Sequence, residues 1–478
     1  MDYIIWCEKM NKYKKLLSDT VMLGIGTFAS KALVLLMMPL YTQCLSPSDY
    51  GTADIISQTA NLLIPLACAG ICDGLFRFTL DSGTDKPTVF RTSFTMLLLS
   101  TLVFLALSPV LFAINYFSGY AWLIVLYVLS ANFHSVCAQY IRACDRPKLF
   151  SVQGIINTAL VVGLNILFLV VFDMGVIGYV LSVIIADALV SIFLVVAAKL
   201  YRDISAGRFS RELASKLVRY SLPMIPTTIF WWITNVSDRY MVTWICGDAV
   251  NGVYSAAYKI PTLITLLCAV FYEAWQFSAV KDAEQKTKSD FFAKVFGYYS
   301  GLMFMGGAVI VLFSKLFVKI LLADTYADAA TYIPTLTAAA VFSALTTFMG
   351  SVYLVKKKSM LSFLTSMLGA ALNVLLNVIL IPIAGAQGAA VATVVSYVAV
   401  FAVRTATAQR QISFYINYAR LVVNTLLLAA ECAVAVIAPQ YWYLYAGGIA
   451  LVMLVLNAKI LIDFVRATLS GLRRRGKA

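Results

Sequence analysis

Charge is what this chain has least of. Only 13% of its residues are Asp, Glu, Lys or Arg, against 61% hydrophobic, whereas a water-soluble domain carries about a quarter charged residues. A soluble enzyme is thereby excluded, and so is a soluble nucleic-acid binder despite a net charge of +14. Mean hydropathy is +0.85. Long polar loops are missing as well, which counts against a membrane glycosyl polymerase or ligase, the less favoured alternative, since such enzymes commonly need a large external loop. Histidine is reduced to His134 alone. The nine cysteines are scattered, mostly within apolar runs. Cys68 and Cys72 stand one helical turn apart without His or further Cys beside them, so all nine read as small core residues rather than metal ligands or disulfides. Met1–Leu17 is polar and basic, unlike a cleavable leader, and the first apolar run is long enough to span a membrane.

What is there is a succession of apolar runs. A helix needs about 20 apolar residues to cross the hydrocarbon core, and the sequence predicts fourteen such spans, at roughly 18–42, 50–72, 88–115, 119–141, 149–172, 175–198, 221–246, 251–275, 295–322, 329–354, 360–383, 387–408, 417–438 and 441–463. The breaks between them are alternately basic and nearly free of basic residues, as the positive-inside rule requires of a many-pass protein. With both termini cytoplasmic, the inner segments hold 32 of the 37 Lys and Arg, which also face anionic headgroups. Lys315 and Lys319 fall near an outer helix end, and Lys31, Arg239 and Lys259 fall inside predicted spans. The fold class is an all-α integral membrane protein. It divides into a cytoplasmic segment 1–17, a first six-helix lobe 18–198, a linker 199–220, a second six-helix lobe 221–411, two further helices over 412–464 and a basic tail 465–478. In the linker, Phe209, Leu213 and Leu217 share one helical stripe among basic residues, predicting one amphipathic helix on the inner membrane surface.

The two halves repeat. Leu45–Ser57 (LSPSDYGTADIIS) parallels Cys246–Tyr258 (CGDAVNGVYSAAY), with Gly51 and Gly252 at an offset of 201. Asn165–Gly178 (NILFLVVFDMGVIG) parallels Asn377–Gly388 (NVILIPIAGAQG), with Gly178 and Gly388 at an offset of 210. Parallel repeats of this kind place a substrate site where the halves meet and work by rocking one half against the other.

Four elements carry a family resemblance that spans essentially the whole chain. They are Tyr50-Gly51 opening the second span, Asn235-Val-Ser-Asp238-Arg239 in the seventh, Gly252-Val-Tyr-Ser-Ala-Ala-Tyr258-Lys259-Ile-Pro261 in the eighth, and Asn373-Val-Leu-Leu-Asn377 followed by Gly385-Ala-Gln-Gly388-Ala-Ala in the eleventh and twelfth. In these the chain resembles the polysaccharide flippase branch of the multidrug/oligosaccharidyl-lipid/polysaccharide exporter superfamily. The resemblance implies two six-helix lobes in a V, two extra C-terminal helices, a bacterial inner-membrane location and translocation of an undecaprenyl-diphosphate-linked glycan without enzymatic chemistry. The expected partners are that lipid-linked glycan, membrane lipids and polysaccharide-assembly proteins, with no cofactor beyond a coupling H+ or Na+. A multidrug cation antiporter of the same superfamily is the rival, which twelve helices and an acidic cavity would favour.

A charge near the bilayer centre costs about 2.5–3.5 kcal/mol on insertion scales, so it must face a cavity or a partner. A lipid diphosphate and acidic sugars need cations in a low-dielectric cavity. The expected substrate-binding residues are therefore Lys31, Arg239 and Lys259 within the spans, with Arg77 and Arg142 at the inner mouth. The competing reading has Asp54 or Asp238 pair with these cations to hold helices together. Asp54, Asp187, Asp238 and Glu431 are the candidates for ion or proton coupling, together with His134, since burial favours the protonated carboxyl. Asn157, Asn165, Asn373 and Asn377 are expected as hydrogen bonds between helices, and Phe230-Trp231-Trp232 as lipid-facing packing in preference to a platform for stacking on sugar.

Overall fold

In hydrocarbon no water takes up backbone hydrogen bonds, so each apolar run must bond its own N–H and C=O groups, and the helix is the segment that does so alone. The computed structural model describes residue 33 and residues 35–475, apart from 82–83, 223–224, 282–287, 357 and 438–439, and they contain no strand. The chain separates into two compact units, Met1–Ile233 and Thr234–Ala478.

The first unit holds α1 (Met38–Cys44), α2 (Pro47–Ala67), α3 (Ile71–Thr79), α4 (Lys86–Leu107), α5 (Pro109–Ala113) and α6 (Ala121–Ala143). They are followed by α7 (Pro147–Asn165), which runs on into a π-helical stretch Ile166–Val171, then α8 (Gly175–Ala197), α9 (Leu200–Ala206), α10 (Arg211–Ser221) and the first part of α11 (Ile225–Cys246). Helix α2 starts on a capping box. The Ser46 hydroxyl accepts from the Asp49 N–H at 3.2 Å while the Asp49 carboxylate accepts from the Ser46 N–H at 3.4 Å, satisfying two of the donors a helix start leaves open. Two apolar clusters make the core, one around Ile56, Leu123, Ile124 and Val180 and one around Phe90, Tyr140, Ile141, Leu194 and Leu217, where the Phe90 and Tyr140 rings stack at 4.3 Å.

The linker is two short helices rather than one. Gly207 and Ser210 separate them, and the Ser210 hydroxyl caps α10 by accepting from the Leu213 N–H. Leu213 and Leu217 are buried as expected, but Phe209 falls in the break and stays exposed. The segment is tied to the unit beneath it, with Arg91 donating to the Ile204 carbonyl at 3.2 Å and Arg146 to the Ala198 carbonyl at 3.3 Å. On its wet face, Lys216 bonds Glu212 at 2.6 Å and holds that carboxyl below its usual range; an ion pair so exposed adds little stability.

The second unit continues α11 and adds α12 (Asp248–Lys259), α13 (Thr262–Lys281), α14 (Lys288–Leu312), α15 (Ser314–Leu321), α16 (Ala329–Val355), α17 (Ser359–Gln411), α18 (Tyr418–Ile437) and α19 (Trp442–Arg475). Its core is aromatic: Trp275 stacks on Phe348 at 4.9 Å and donates from its indole to Ser351 at 2.8 Å, while the Tyr299 hydroxyl reaches the Ala344 carbonyl at 2.9 Å. The last two helices are joined by a reciprocal amide pair between Asn424 and Asn457, with Arg420 adding a 2.7 Å bond to Asn457.

At ~1.5 Å per residue a straight α17 would be far longer than the bilayer core is thick. It is not straight. Gly385 stands at φ 58 and ψ −145, outside helical geometry, and the Asn373 amide donates to Thr393 at 3.2 Å across twenty residues of chain. The segment is folded back on itself into two antiparallel spans. Taken one at a time, nine described helices are long and apolar enough to cross a bilayer, or ten if the pair α2–α3, bent by 55°, counts as one span; the fold-back divides α17 into two. Every expected span from the second onward meets a helix or a helix pair, and of the first only its inner-sequence end, α1, lies within the described residues.

The repeat is visible in local geometry. Gly51 and Gly252 are each the fifth residue of their helix. The left-handed glycines Gly175 (φ 52) and Gly385 (φ 58) occupy corresponding positions, again 210 apart. Three residues after each comes a glycine in close contact with the preceding chain. A Cβ on Gly178 would stand 3.2 Å from the Phe168 carbonyl oxygen, and one on Gly388 would stand 2.2 Å from that of Leu380. Overpacking against backbone costs about 1–3 kcal/mol or more. Gly388→Ala should therefore lower thermal stability in detergent more than Gly178→Ala, whereas Gly448→Ala, with nothing within 4 Å of the added carbon, should be neutral or stabilising. Equal effects at all three positions would contradict this packing.

Candidate functional site

Ionisable side chains gather in each unit within the spans. In the second unit, Asp238 and Arg239 lie on α11, at 2% and 7% exposure. Arg239 is seven residues from the helix end, about 10 Å along the axis. The Asp238 carboxylate accepts from the Tyr254 hydroxyl at 2.8 Å and from the Arg239 backbone N–H at 2.9 Å, so Tyr254 on α12 ties the two helices together. The Arg239 guanidinium lies over the Tyr258 ring at 4.8 Å, a cation–π contact that strengthens when desolvated. Lys259 is the last residue of α12, half-buried, at a break that Pro261 enforces because it has no N–H to continue the ladder. A helix C-terminus carries partial negative charge, which favours the Lys259 ammonium there. Tyr397 donates to Asn235 at 3.0 Å, Ser237 to Asn373 at 3.2 Å and Asn377 to Asn373 at 2.9 Å. The asparagines of α17 thus bond within and between spans, as expected.

Sequence reasoning assigns Arg404 to an inner segment, yet the structure buries it at 7% exposure in the second arm of α17. Its guanidinium donates from Nε to Thr365 at 3.0 Å, from one terminal nitrogen to the Thr346 carbonyl at 3.2 Å and from the other to Ser366 at 2.9 Å. All three acceptors are neutral, and among the described residues no carboxylate forms an ion pair with it. Gly350 makes the room, since a Cβ there would stand 2.9 Å from the guanidinium. The signal was present in the sequence: residue 404 falls inside the apolar run 387–408, not after it. Glu431 on α18 is fully buried, and neither of its carboxyl oxygens has a hydrogen-bond partner among the described residues.

In the first unit, Asp187 lies twelve residues from one end of α8 and ten from the other, close to the middle of the span. Its carboxylate meets His134 Nδ1 on α6 at 3.0 Å and accepts from the Asn157 amide on α7 at 3.0 Å; His134 Nε2 in turn meets Gln153 Oε1 at 2.7 Å. Asn165 donates to the Tyr41 hydroxyl at 3.3 Å. Asp54 is buried on α2, with the Gln58 amide at 3.3 Å. Arg77 and Arg142 stand exposed at the ends of α3 and α6. The first pairs with Asp81, and the second lies over the Phe76 and Phe150 rings at 5.1 and 5.5 Å. Lys31 lies outside the described residues. Trp232 departs from the expected lipid-facing packing, since its indole donates to the Gln58 carbonyl at 3.0 Å. Among the described residues, no three His, Cys, Asp or Glu side chains are grouped as a metal ion would need.

Because the Arg404 fork matches three acceptors that one ammonium cannot reach together, Arg404→Lys should leave buried oxygens unpaired and cost about 1–3 kcal/mol. Thermal unfolding in detergent measures this, and an unchanged midpoint would show that the fork holds nothing in place.

A family model described as polysaccharide biosynthesis protein matches residues 16–276, more than half of the chain. A comparison with curated protein sequences finds no match. Among solved structures, the lipid II flippase MurJ in an inward closed conformation is similar at 13% identity, with 93% of this chain and 99% of that one covered and a TM-score of 0.68. An inward-facing multidrug resistance MATE transporter of the MOP superfamily is similar at 14% identity, 80% and 95% coverage and a TM-score of 0.66. A MOP-superfamily transporter from Pyrococcus furiosus, described as having a binding pocket of reverse polarity, follows at 13% identity, 83% and 95% coverage and a TM-score of 0.61. At such identities the solved structures speak to the fold, while the family model speaks to membership: the chain belongs to the polysaccharide biosynthesis protein family and carries the fold of the MOP-superfamily transporters.

Proposed function

We propose that this chain is a flippase that carries an undecaprenyl-diphosphate-linked oligosaccharide, or a related cell-envelope lipid precursor, across the bacterial inner membrane by alternating access. The observation that carries the reading is the cationic charge inside the spans of a polysaccharide-family protein. Arg239 lies over an aromatic face, Lys259 sits at a helix break, and Arg404 is held entirely by neutral acceptors. A guanidinium so held is fixed in place without being neutralised, which suits a group meant to meet a diphosphate or an acidic sugar. MurJ, similar in fold, is named as a flippase of lipid II, a precedent for this class of cargo. Assembly proteins of the polysaccharide are the natural partners, and Arg77 and Arg142, exposed at helix ends, fit the first encounter with anionic headgroups.

The rival, a multidrug cation antiporter, draws on the buried acids Asp238 and Glu431 and on the likeness to MATE transporters. Proteoliposomes separate the two. Purified protein should translocate a fluorescent undecaprenyl-diphosphate oligosaccharide, and Lys259→Ala should abolish most of that rate at matched incorporation. Export of a lipophilic cation with no movement of the glycan lipid would instead establish the antiporter.

The reading also places both termini and the α9–α10 linker in the cytoplasm. A cysteine at Ser205, exposed on α9, should be labelled by an impermeant maleimide only after the cells are opened. Labelling in intact cells would invert the topology.

A further inference from the structure

We propose that the His134–Asp187 pair of the first unit is a proton-binding site that takes up and releases one proton during transport, so that flipping by this chain is linked to protons. The inference rests on the flippase reading for its transport consequence, and on geometry alone for the site itself.

Both nitrogens of the His134 ring face oxygen. Nε2 stands 2.7 Å from Gln153 Oε1, and Nδ1 stands 3.0 Å from Asp187 Oδ1. An amide oxygen only accepts, so Nε2 must carry a hydrogen. Two lone pairs cannot face each other at 3.0 Å, so a hydrogen lies between Nδ1 and Oδ1, and it belongs on the ring nitrogen, the more basic of the two groups, while the same oxygen also accepts from the Asn157 amide at 3.0 Å. The ring is therefore an imidazolium beside a carboxylate, and the pair is neutral as a unit. Releasing the Nδ1 proton to water leaves a neutral imidazole next to an uncompensated carboxylate near the middle of a span, which apolar surroundings resist. The proton is thus held while the site is closed and exchanges when water reaches it. The three helices α6, α7 and α8 each contribute to this one pair, so its charge state bears on how they pack. Asn157 Oδ1 is buried without a hydrogen-bond partner among the described residues, an acceptor beside the carboxylate where a water could bind once the site hydrates.

Among the described residues, few other titratable groups face the pair. Tyr127 of α6 lies beside Asp187, and α7 presents only the amides of Gln153 and Asn157. Cys72 of α3 turns to Ser135, Asp54 of α2 lies toward Tyr179, and α4 packs Phe94 against Phe133. The charge change therefore falls on His134 and Asp187.

His134 is the only histidine in the chain, which makes the site directly observable. Protein labelled with 15N-histidine in nanodiscs should give one imidazole spin system. At neutral pH both nitrogens should be protonated, and the ring should become neutral in alkaline buffer. Asp187→Asn should give a neutral ring at neutral pH. A ring that holds one protonation state from mildly acidic to alkaline buffer overturns the site, and that measurement on the wild-type protein needs no variant to fold. In proteoliposomes, the wild-type rate of glycan-lipid flipping should change with an imposed pH difference, by up to about tenfold per pH unit, the limit for one proton. His134→Gln, which keeps hydrogen bonds but cannot titrate, should give a rate that ignores the difference. Wild-type flipping indifferent to pH overturns proton linkage while sustaining the flippase reading. Wild-type protein that titrates but moves no glycan lipid overturns the flippase reading and sustains the site.

Discussion

The constraint on which everything here depends is that the bilayer core supplies no hydrogen bonds. Backbone groups must be satisfied within each helix, and any charge that enters must bring its partners with it. The first demand explains why the described chain is helical and why departures from helical geometry are few and local. The second explains why most polar groups inside the spans occur in networks, with Glu431 an exception among the described residues. Asp187 is met from two other helices, Asp238 is tied to Tyr254 of α12, and the Asn424–Asn457 pair closes the last two helices on each other.

The same constraint turns glycines into architectural elements. Where α8 begins and where α17 turns back, the chain needs a left-handed residue followed three positions later by one without a side chain, and both units meet the need in the same way with Gly175-x-x-Gly178 and Gly385-x-x-Gly388. Two units built from one repeated pattern need not carry the same chemistry. The first unit holds a histidine–carboxylate pair near mid-span, and the second holds cations on an aromatic ring, at a helix break and among neutral oxygens.

Much of this was legible from residue order. Apolar run lengths marked the spans, alternation of basic breaks gave the topology expected for them, and the spacing of glycines disclosed the repeat. These are one-dimensional signals, because bilayer thickness and the helical rise translate directly into lengths of sequence. Arg404 shows where such reading slips: counted with the loop that follows it, it was assigned to water, although its place within an apolar run already pointed inward. The linker shows another limit, since its stripe of Phe209, Leu213 and Leu217 presupposed one continuous helix, and Ser210 instead begins a new one.

Sequence by itself determined that this is a many-span helical membrane protein with an internal repeat, because hydrophobicity and charge sort residues between lipid and water whatever their neighbours. Only the tertiary structure decided which embedded charges meet. His134 and Asp187 are fifty-three residues apart in the chain, and Arg404 finds Thr346 and Thr365 on other spans; nothing in their local sequence names these partners. The physical reason is that side-chain hydrogen bonds act over about 3 Å. Helix rotation and packing select the pairs, and those depend on the whole core rather than on any segment of it.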